Sequence, residues 1–215
     1  MITSRRWVDF LDIIYPPVCL LCGDLSEGQY PHCCSKCRSE FHPITEGYCT
    51  ICGIPFPVPD TPHSCLDCIR KKPPFEWCRG MYHFSGRMPD AVHALKYGKK
   101  LSLAEVLKGA VAEAVLSMDI PPFDAVVPVP VSTWRLIKRG FNQAALLASP
   151  LADYHNVPLL SNALRRRGAK PQVGLGQAQR DENVKGAFCV ARYHKKLSGR
   201  RVLLFDDVYT TGATV

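Results

Sequence analysis

Eight cysteines and one pair of carboxylates carry most of the chemistry in this 215-residue chain. The cysteines fall as four Cys-x-x-Cys pairs, Cys19/Cys22, Cys34/Cys37, Cys49/Cys52 and Cys65/Cys68. Two residues between thiols let both sulfurs grip one ion from a tight turn. Two such turns supply four thiolates, a closed tetrahedral zinc site. The first two pairs are separated by 11 residues and the last two by 12. The local text also repeats, Cys19-Leu-Leu-Cys22-Gly23 against Cys49-Thr-Ile-Cys52-Gly53, at a period of about 30 residues. Redox chemistry at Cys-x-x-Cys needs a βαβ setting, which this proline-rich stretch lacks. Near the other end, the apolar run Val202–Phe205 stops at Asp206-Asp207. Val208-Tyr209-Thr210-Thr211-Gly212-Ala213-Thr214 follows. Carboxylates at the carboxyl end of a buried strand face the crevice where α/β sheets hold ligands, and they accept from sugar hydroxyls. Small residues and a glycine let backbone N–H groups approach a phosphate, with threonine hydroxyls as further donors.

Some zinc details stay open at this level. Sequential pairing within each repeat is the preferred arrangement, and an interleaved one satisfies the same spacing. Cys33 fits in place of Cys34 by a one-residue slip. Cys78 and Cys189 read as ordinary buried thiols. His32, His42 and His63 lie near ligands, but eight cysteines already fill two sites. A module this short buries little core, so the metal supplies its folding free energy.

Several elements must position these groups. Trp7, Phe10, Leu11 and Ile14 fall at i, i+3, i+4 and i+7, an amphipathic helix within residues 1–18 that ends at Pro16-Pro17. The double ribbon occupies 19–72, Lys71-Lys72-Pro73-Pro74 is a linker, and 78–215 form a larger domain. There, strands are expected at Gly80–Phe84, Asp124–Pro130, Val157–Leu160, Phe188–Val190 and Arg201–Phe205. Helices are expected over Pro89–Tyr97, Leu101–Leu116 and Phe141–Tyr154, the last bent or broken by Pro150. Strands alternating with helices imply a mostly parallel α/β sheet with flanking helices. The polar, basic run from Arg165-Arg166-Arg167 through Gln172, Arg180 and Asn183 is long for an idle loop and suits a lid. A second basic cluster, Trp134-Arg135 and Lys138-Arg139 before Asn142-Gln143, follows a strand end and offers three cations and two amides to a pyrophosphate.

The charge is unevenly placed. Formal net charge is +8, but residues 1–78 carry 7 Lys+Arg against 9 Asp+Glu, a net −2, and residues 79–215 carry 20 against 10, a net +10. The ribbons alone are therefore poor candidates for gripping phosphate, while the larger domain suits a pyrophosphate or nucleic acid. Arg135, Lys138, Arg139 and Arg165–Arg167 would track a single-stranded DNA backbone, with Lys195, Lys196, Arg200 and Arg201 beside them. Trp134 or Tyr193 would stack on bases. No run of 18 apolar residues is present to span a membrane. Asp9 and Asp12 interrupt any signal-peptide core after Arg5-Arg6. Eleven cysteines without such a signal point to metal binding in a reducing, cytoplasmic setting.

The string Asp206–Thr214 resembles the phosphoribosyl-pyrophosphate (PRPP) motif of type I phosphoribosyltransferases. With the double ribbon, Lys96-Tyr97, Pro128-Val-Pro130, Arg139–Gln143, Gln172, Arg180 and Asn183, nearly the whole chain resembles the ComF family, GntX-like members included. The resemblance implies a phosphoribosyltransferase-like domain and a link to natural competence, with single-stranded DNA and competence or DNA-processing proteins as partners. It implies that Asp206 and Asp207, as catalytic residues, meet the ribose hydroxyls of Mg-bound PRPP, that Val208–Thr214 bind PRPP and that Thr210–Thr214 among them hold the 5′-phosphate. The Pro130-Val131-Ser132 turn, Arg139 and Arg180 would lie by the pyrophosphate, under a hood formed by 165–183. The alternative is a catalytically active phosphoribosyltransferase of nucleotide metabolism, with no residue that identifies its acceptor. The family pattern continues past Val215 with a helix and a strand. The chain is expected to be truncated there, and its phosphate cradle weakened by the absent helix N-terminus.

Overall fold

Ala125–Pro128 (β1) is buried along its whole length, as a strand covered on both faces must be. It belongs to a computed structural model of the chain that describes residues 16–26, 30–57, 61–98, 100–166, 187–191 and 197–209. The N-terminal helix expected from Trp7 to Ile14, Arg167, Arg180, Tyr193, Lys195, Lys196 and the run Thr210–Thr214 lie outside the described residues.

β1 pairs in parallel with Val202–Phe205 (β4), in the register Ala125↔Val202 to Pro128↔Phe205. Asp124 starts the ladder on both strands: its N–H donates to Arg201 O at 2.7 Å and its carboxylate accepts from Arg201 N at 2.8 Å. On its other side β1 makes a parallel bridge to Leu159, with Val126 N donating to Pro158 O and Leu160 N donating to Val126 O. The chain thus leaves β1 toward one neighbour and returns as β4 on the other side. That reversal is the topological switch at which parallel sheets open a crevice beyond their carboxyl ends. β4 is less buried than an apolar run suggests: Phe205 is in the core, while Leu204 is 43% exposed. Among the described residues no strand pairs with its outer edge. A second, antiparallel pair joins Leu164–Arg166 (β2) to Phe188–Val190 (β3). The stretch Gly80–Phe84 does not become a strand; Tyr82 makes a single bridge to Pro43.

The helices are Ser35–Ser39 (α1), Leu66–Arg70 (α2), Met88–Tyr97 (α3), Ser102–Ser117 (α4), Thr133–Arg139 (α5), Gln143–Leu147 (α6) and Ser149–Tyr154 (α7). α3 carries Pro89 in its first turn, where a missing N–H costs nothing, and buries Met88, Ala91, Val92 and Leu95. The helix expected over Phe141–Tyr154 is two. Its break falls at Ala148, just before Ser149-Pro150, because a proline N has no hydrogen to donate back into the preceding turn. α6 and α7 pack on β1. α5 buries none of its residues.

The described chain divides into two units, one of residues up to His42 with Phe84–Leu107, the other of Pro43–His83 with Lys108 onward. Each holds one half of the cysteine repeat. In the first, Lys100 Nζ donates to Leu20 O at 3.0 Å. In the second, Cys78 N donates to Ile51 O at 2.6 Å and Arg79 stacks on the Tyr48 ring, while Tyr82 Oη donates to Ala110 O in α4. No described helix is long and apolar enough to cross a membrane.

Candidate functional site: two zinc knuckles and a basic crevice

The two halves of the cysteine repeat fold alike, bond for bond. Cys19 N donates to Asp24 O as Cys49 N donates to Ile54 O, and Leu20 N to His32 O as Thr50 N to His63 O. Cys34 and Cys65 each stand at the N-terminus of a five-residue helix. Gly23 and Gly53 close the knuckles with left-handed φ of +85° and +68°, each N–H bonding the carbonyl of the first cysteine. Only glycine takes that backbone cheaply. These N–H groups turn to a carbonyl rather than to sulfur. The sulfurs instead accept from other amides, Cys52 N and Cys65 N on Cys49 Sγ at 3.5 and 3.3 Å, and Cys37 N on Cys34 Sγ at 3.5 Å.

The result is two four-cysteine clusters, Cys19/Cys22/Cys34/Cys37 and Cys49/Cys52/Cys65/Cys68, with ligand atoms all within 4.8 Å of one another. Cys22–Cys34 and Cys52–Cys65 sulfurs stand 3.7 and 3.8 Å apart. Four sulfurs about 2.3 Å from a tetrahedral zinc would lie about 3.8 Å from each other, so both clusters fit the ion. The pairing is sequential, and Cys34 rather than Cys33 is the ligand. Burial pushes the Cys19 thiol up, but amides of Cys34, Cys22 and Leu21 outweigh it and bring it down to about 6. Cys49 behaves alike: burial raises it, and amides of Cys65, Cys52 and Ile51 bring it down to about 6. Cys37 and Cys68 are pushed up, by burial and then by neighbouring thiols. Cys33, 3% exposed, is pushed up to about 11, by burial first, outside the cluster. His63 stacks on Phe56 and bonds Thr61 O, away from the ligands.

The second site lies at the carboxyl ends of β1 and β4, which finish side by side. Val129 N donates to Phe205 O at 2.8 Å. The Pro130-Val131-Ser132 turn leaves one strand there and Asp206-Asp207 the other. Asp207 N donates to Asp206 Oδ1 at 2.9 Å, so the two carboxylates are tied into one turn. Next to the turn lies a cavity of about 390 Å³. Its lining comes from the segment 130–145 (Pro130, Val131, Thr133, Leu136, Asn142 and Ala145) and from Ser161, Asn162, Leu164, Arg165 and Arg166. Arg166 stacks on Phe188, and its buried Nε has no hydrogen-bond partner among the described residues. Burial lowers its pKa, Arg135 repels its charge and Asp206 attracts it.

The remaining candidates are placed as follows. Ser132 stands before α5 without capping it through its side chain. Arg135 and Lys138 are exposed on α5, Lys138 over the Trp134 ring, and Arg139 is half-buried in the last turn. The two amides expected beside pyrophosphate have other work. Asn142 Oδ1 accepts from Ala144 N and its Nδ2 donates to Val129 O, pinning α6 to the end of β1. Gln143 is 4% exposed and faces the interior. Sequence reasoning passed over Ser161-Asn162, although a Ser-Asn pair directly after the strand-like Val157–Leu160 marks a turn at the sheet's carboxyl edge. It also missed the surroundings of Tyr209. This phenol is pushed up to about 12, by burial and then by the thiols of Cys78, Cys52, Cys68 and Cys49. The end of the acidic turn therefore lies in the field of the second knuckle.

Fold and site define the class: an α/β protein with a paired four-cysteine zinc ribbon at its front and a crevice with two arginines at its sheet edge, next to a strand that ends in two aspartates. Residues 10–69 match the double zinc ribbon domain family. "DNA utilization protein YhgH" of Salmonella typhi is 31% identical over 205 residues, 93% of this chain and 88% of that protein. "Competence protein F" of Haemophilus influenzae is 29% identical over 187 residues, 85% and 80% of the two chains. "Competence protein ComFC" of Bacillus subtilis is 28% identical over 191 residues, 85% and 74%. No solved structure matches. The chain belongs to the ComF family of competence and DNA-utilization proteins.

Proposed function

We propose that this protein binds PRPP, or a ligand carrying the same diphosphate, at the carboxyl edge of β1 and β4, and handles single-stranded DNA during DNA uptake. On this reading residues 78–215 are a phosphoribosyltransferase-like domain, 19–72 the structural double ribbon, and the protein works in the cytoplasm. The observation that carries it is a cavity lined by Pro130, Val131, Arg165 and Arg166 at the end of β1, whose paired neighbour β4 ends at Asp206-Asp207. A diphosphate needs donors and cations, which the backbone turn and Arg165 and Arg166 supply. Asp206 and Asp207 accept from ribose hydroxyls and are hard oxygen donors suited to Mg²⁺ carried on the diphosphate. When bound, Mg²⁺ offsets the diphosphate's negative charge. The relatives' names, competence and DNA utilization, support the DNA role. Exposed Arg135, Lys138 and Trp134 on α5 supply cations and a ring for a single strand.

The apolar residues of the cavity lining, Leu136, Ala145 and Leu164, favour a second reading, transfer of phosphoribose to a flat acceptor seated there. Equilibrium dialysis of labelled PRPP with Mg²⁺, together with anisotropy of a labelled single strand across a salt series, tests the proposal. Both ligands should bind, and DNA affinity should fall steeply with salt. Failure of both to bind the folded, zinc-loaded protein overturns it.

A further inference from the structure

Two of the arginines that suit a DNA backbone also line the cavity. Arg165 and Arg166 lie there with Pro130 and Val131, and Arg135 stands on α5, the helix that contributes Thr133 and Leu136 to the same lining. Arg166 is close enough to Arg135 to be repelled by it, and its buried Nε lacks a hydrogen-bond partner among the described residues. Two like charges held together with an unmet donor form an anion site. One anion relieves the repulsion, and a second at the same guanidinium groups would be rejected by charge and by space.

We infer that a small diphosphate and single-stranded DNA compete for Arg135, Arg165 and Arg166, so that diphosphate in the cavity releases the single strand from α5. The inference rests on the function proposed above and adds its regulation. Coupling of this kind is reciprocal: DNA weakens diphosphate binding by the same factor. The size follows from counterion release. Each phosphate contact on a single strand is worth roughly 0.7 log units per tenfold of salt, about fourfold at physiological ionic strength, so losing the contacts of Arg135, Arg165 and Arg166 weakens DNA binding about 60-fold.

The test uses the full chain with zinc bound and a fluorescein-labelled oligothymidylate. DNA affinity is measured by anisotropy with increasing inorganic pyrophosphate at constant ionic strength, with sodium sulfate as the ionic control. Direct calorimetry gives the pyrophosphate affinity. The expected result is a roughly 60-fold rise in the DNA dissociation constant, half-complete near the pyrophosphate dissociation constant and absent with sulfate. In Arg135→Gln, an exposed helix position, and in Arg166→Gln, DNA binding should be weaker from the start and the pyrophosphate effect smaller. If both ligands bind but DNA affinity ignores pyrophosphate, the shared site is wrong while the proposed function stands. An equal effect of sulfate also overturns it. If one ligand alone fails to bind, the shared site is wrong; if neither binds, the function beneath it falls as well.

Discussion

Gly23 and Gly53 occupy equivalent places in the two zinc knuckles, yet alanine should affect them unequally. Both have left-handed backbone, so both substitutions pay about 1–2 kcal/mol of strain. Roughly half of that is offset because alanine also restricts the unfolded chain. At Gly23 an added Cβ meets nothing within 4 Å, which leaves a net cost of about 1 kcal/mol. At Gly53 the same Cβ would stand 2.5 Å from Cys78 O and 3.0 Å from Arg79 Cα. Relief requires a shift of close to an ångström by backbone that is pinned, since Cys78 N donates to Ile51 O. Overpacking of this kind adds about 1–3 kcal/mol, for a total near 3 kcal/mol. Because metal binding and folding of a ribbon are one equilibrium, these costs appear as zinc affinity. Competition with a chromophoric chelator should show Gly23→Ala losing one zinc about fivefold more readily, and Gly53→Ala losing one zinc about a hundredfold more readily. Equal loss from the two variants would refute the seating of Cys78-Arg79 on the second knuckle.

Elemental analysis after dialysis should find two zinc ions per chain, and Cys49→Ser should retain one, because the clusters are separate. Thiol alkylation of the zinc-loaded protein at neutral pH should spare Cys33 and Cys78, both pushed up to about 11 by burial, until the chain unfolds. In the metal-free chain Cys19 and Cys49 are lowered from 9.0 to about 6, so their thiolates favour the folded knuckle above pH 9 and that contribution is lost as pH falls to about 6. Cobalt(II) affinity, read from thiolate charge-transfer absorption, should climb across that window; a flat profile would contradict the assignment.

The zinc sites were the most legible part of the sequence, because a thiolate site needs only spacing and a tight turn. What spacing left open, structure closed: Cys34 stands at the head of α1 and accepts from Cys37 N, a place Cys33 cannot share. The parallel strand β1 was readable from its unbroken apolar run. Gly80–Phe84, aromatic but broken by Gly80 and His83, makes one bridge, Tyr82 to Pro43, among the described residues, and pairing is set by distant chain rather than by the run itself. β2 was hidden for the opposite reason. Arginines are poor strand markers, and Leu164–Arg166 becomes a strand through Phe188–Val190 and the stacking of Arg166 on Phe188. The basic residues were legible as chemistry but not as places. Only tertiary structure moves Arg165 and Arg166 from an expected lid to the cavity wall, and turns Asn142 into a brace.

The acidic turn and the arginines of β2 are proposed to act on one ligand. Calorimetric titration of Mg-PRPP into the zinc-loaded protein, its Asp207→Asn variant and its Arg166→Gln variant tests that claim. One saturable site per chain is expected. Asp207→Asn should abolish it, and Arg166→Gln should weaken it about tenfold, the effect of losing one charge-assisted hydrogen bond of about 1.5 kcal/mol. Binding that both variants retain unchanged would contradict the assignment of this edge as the ligand site.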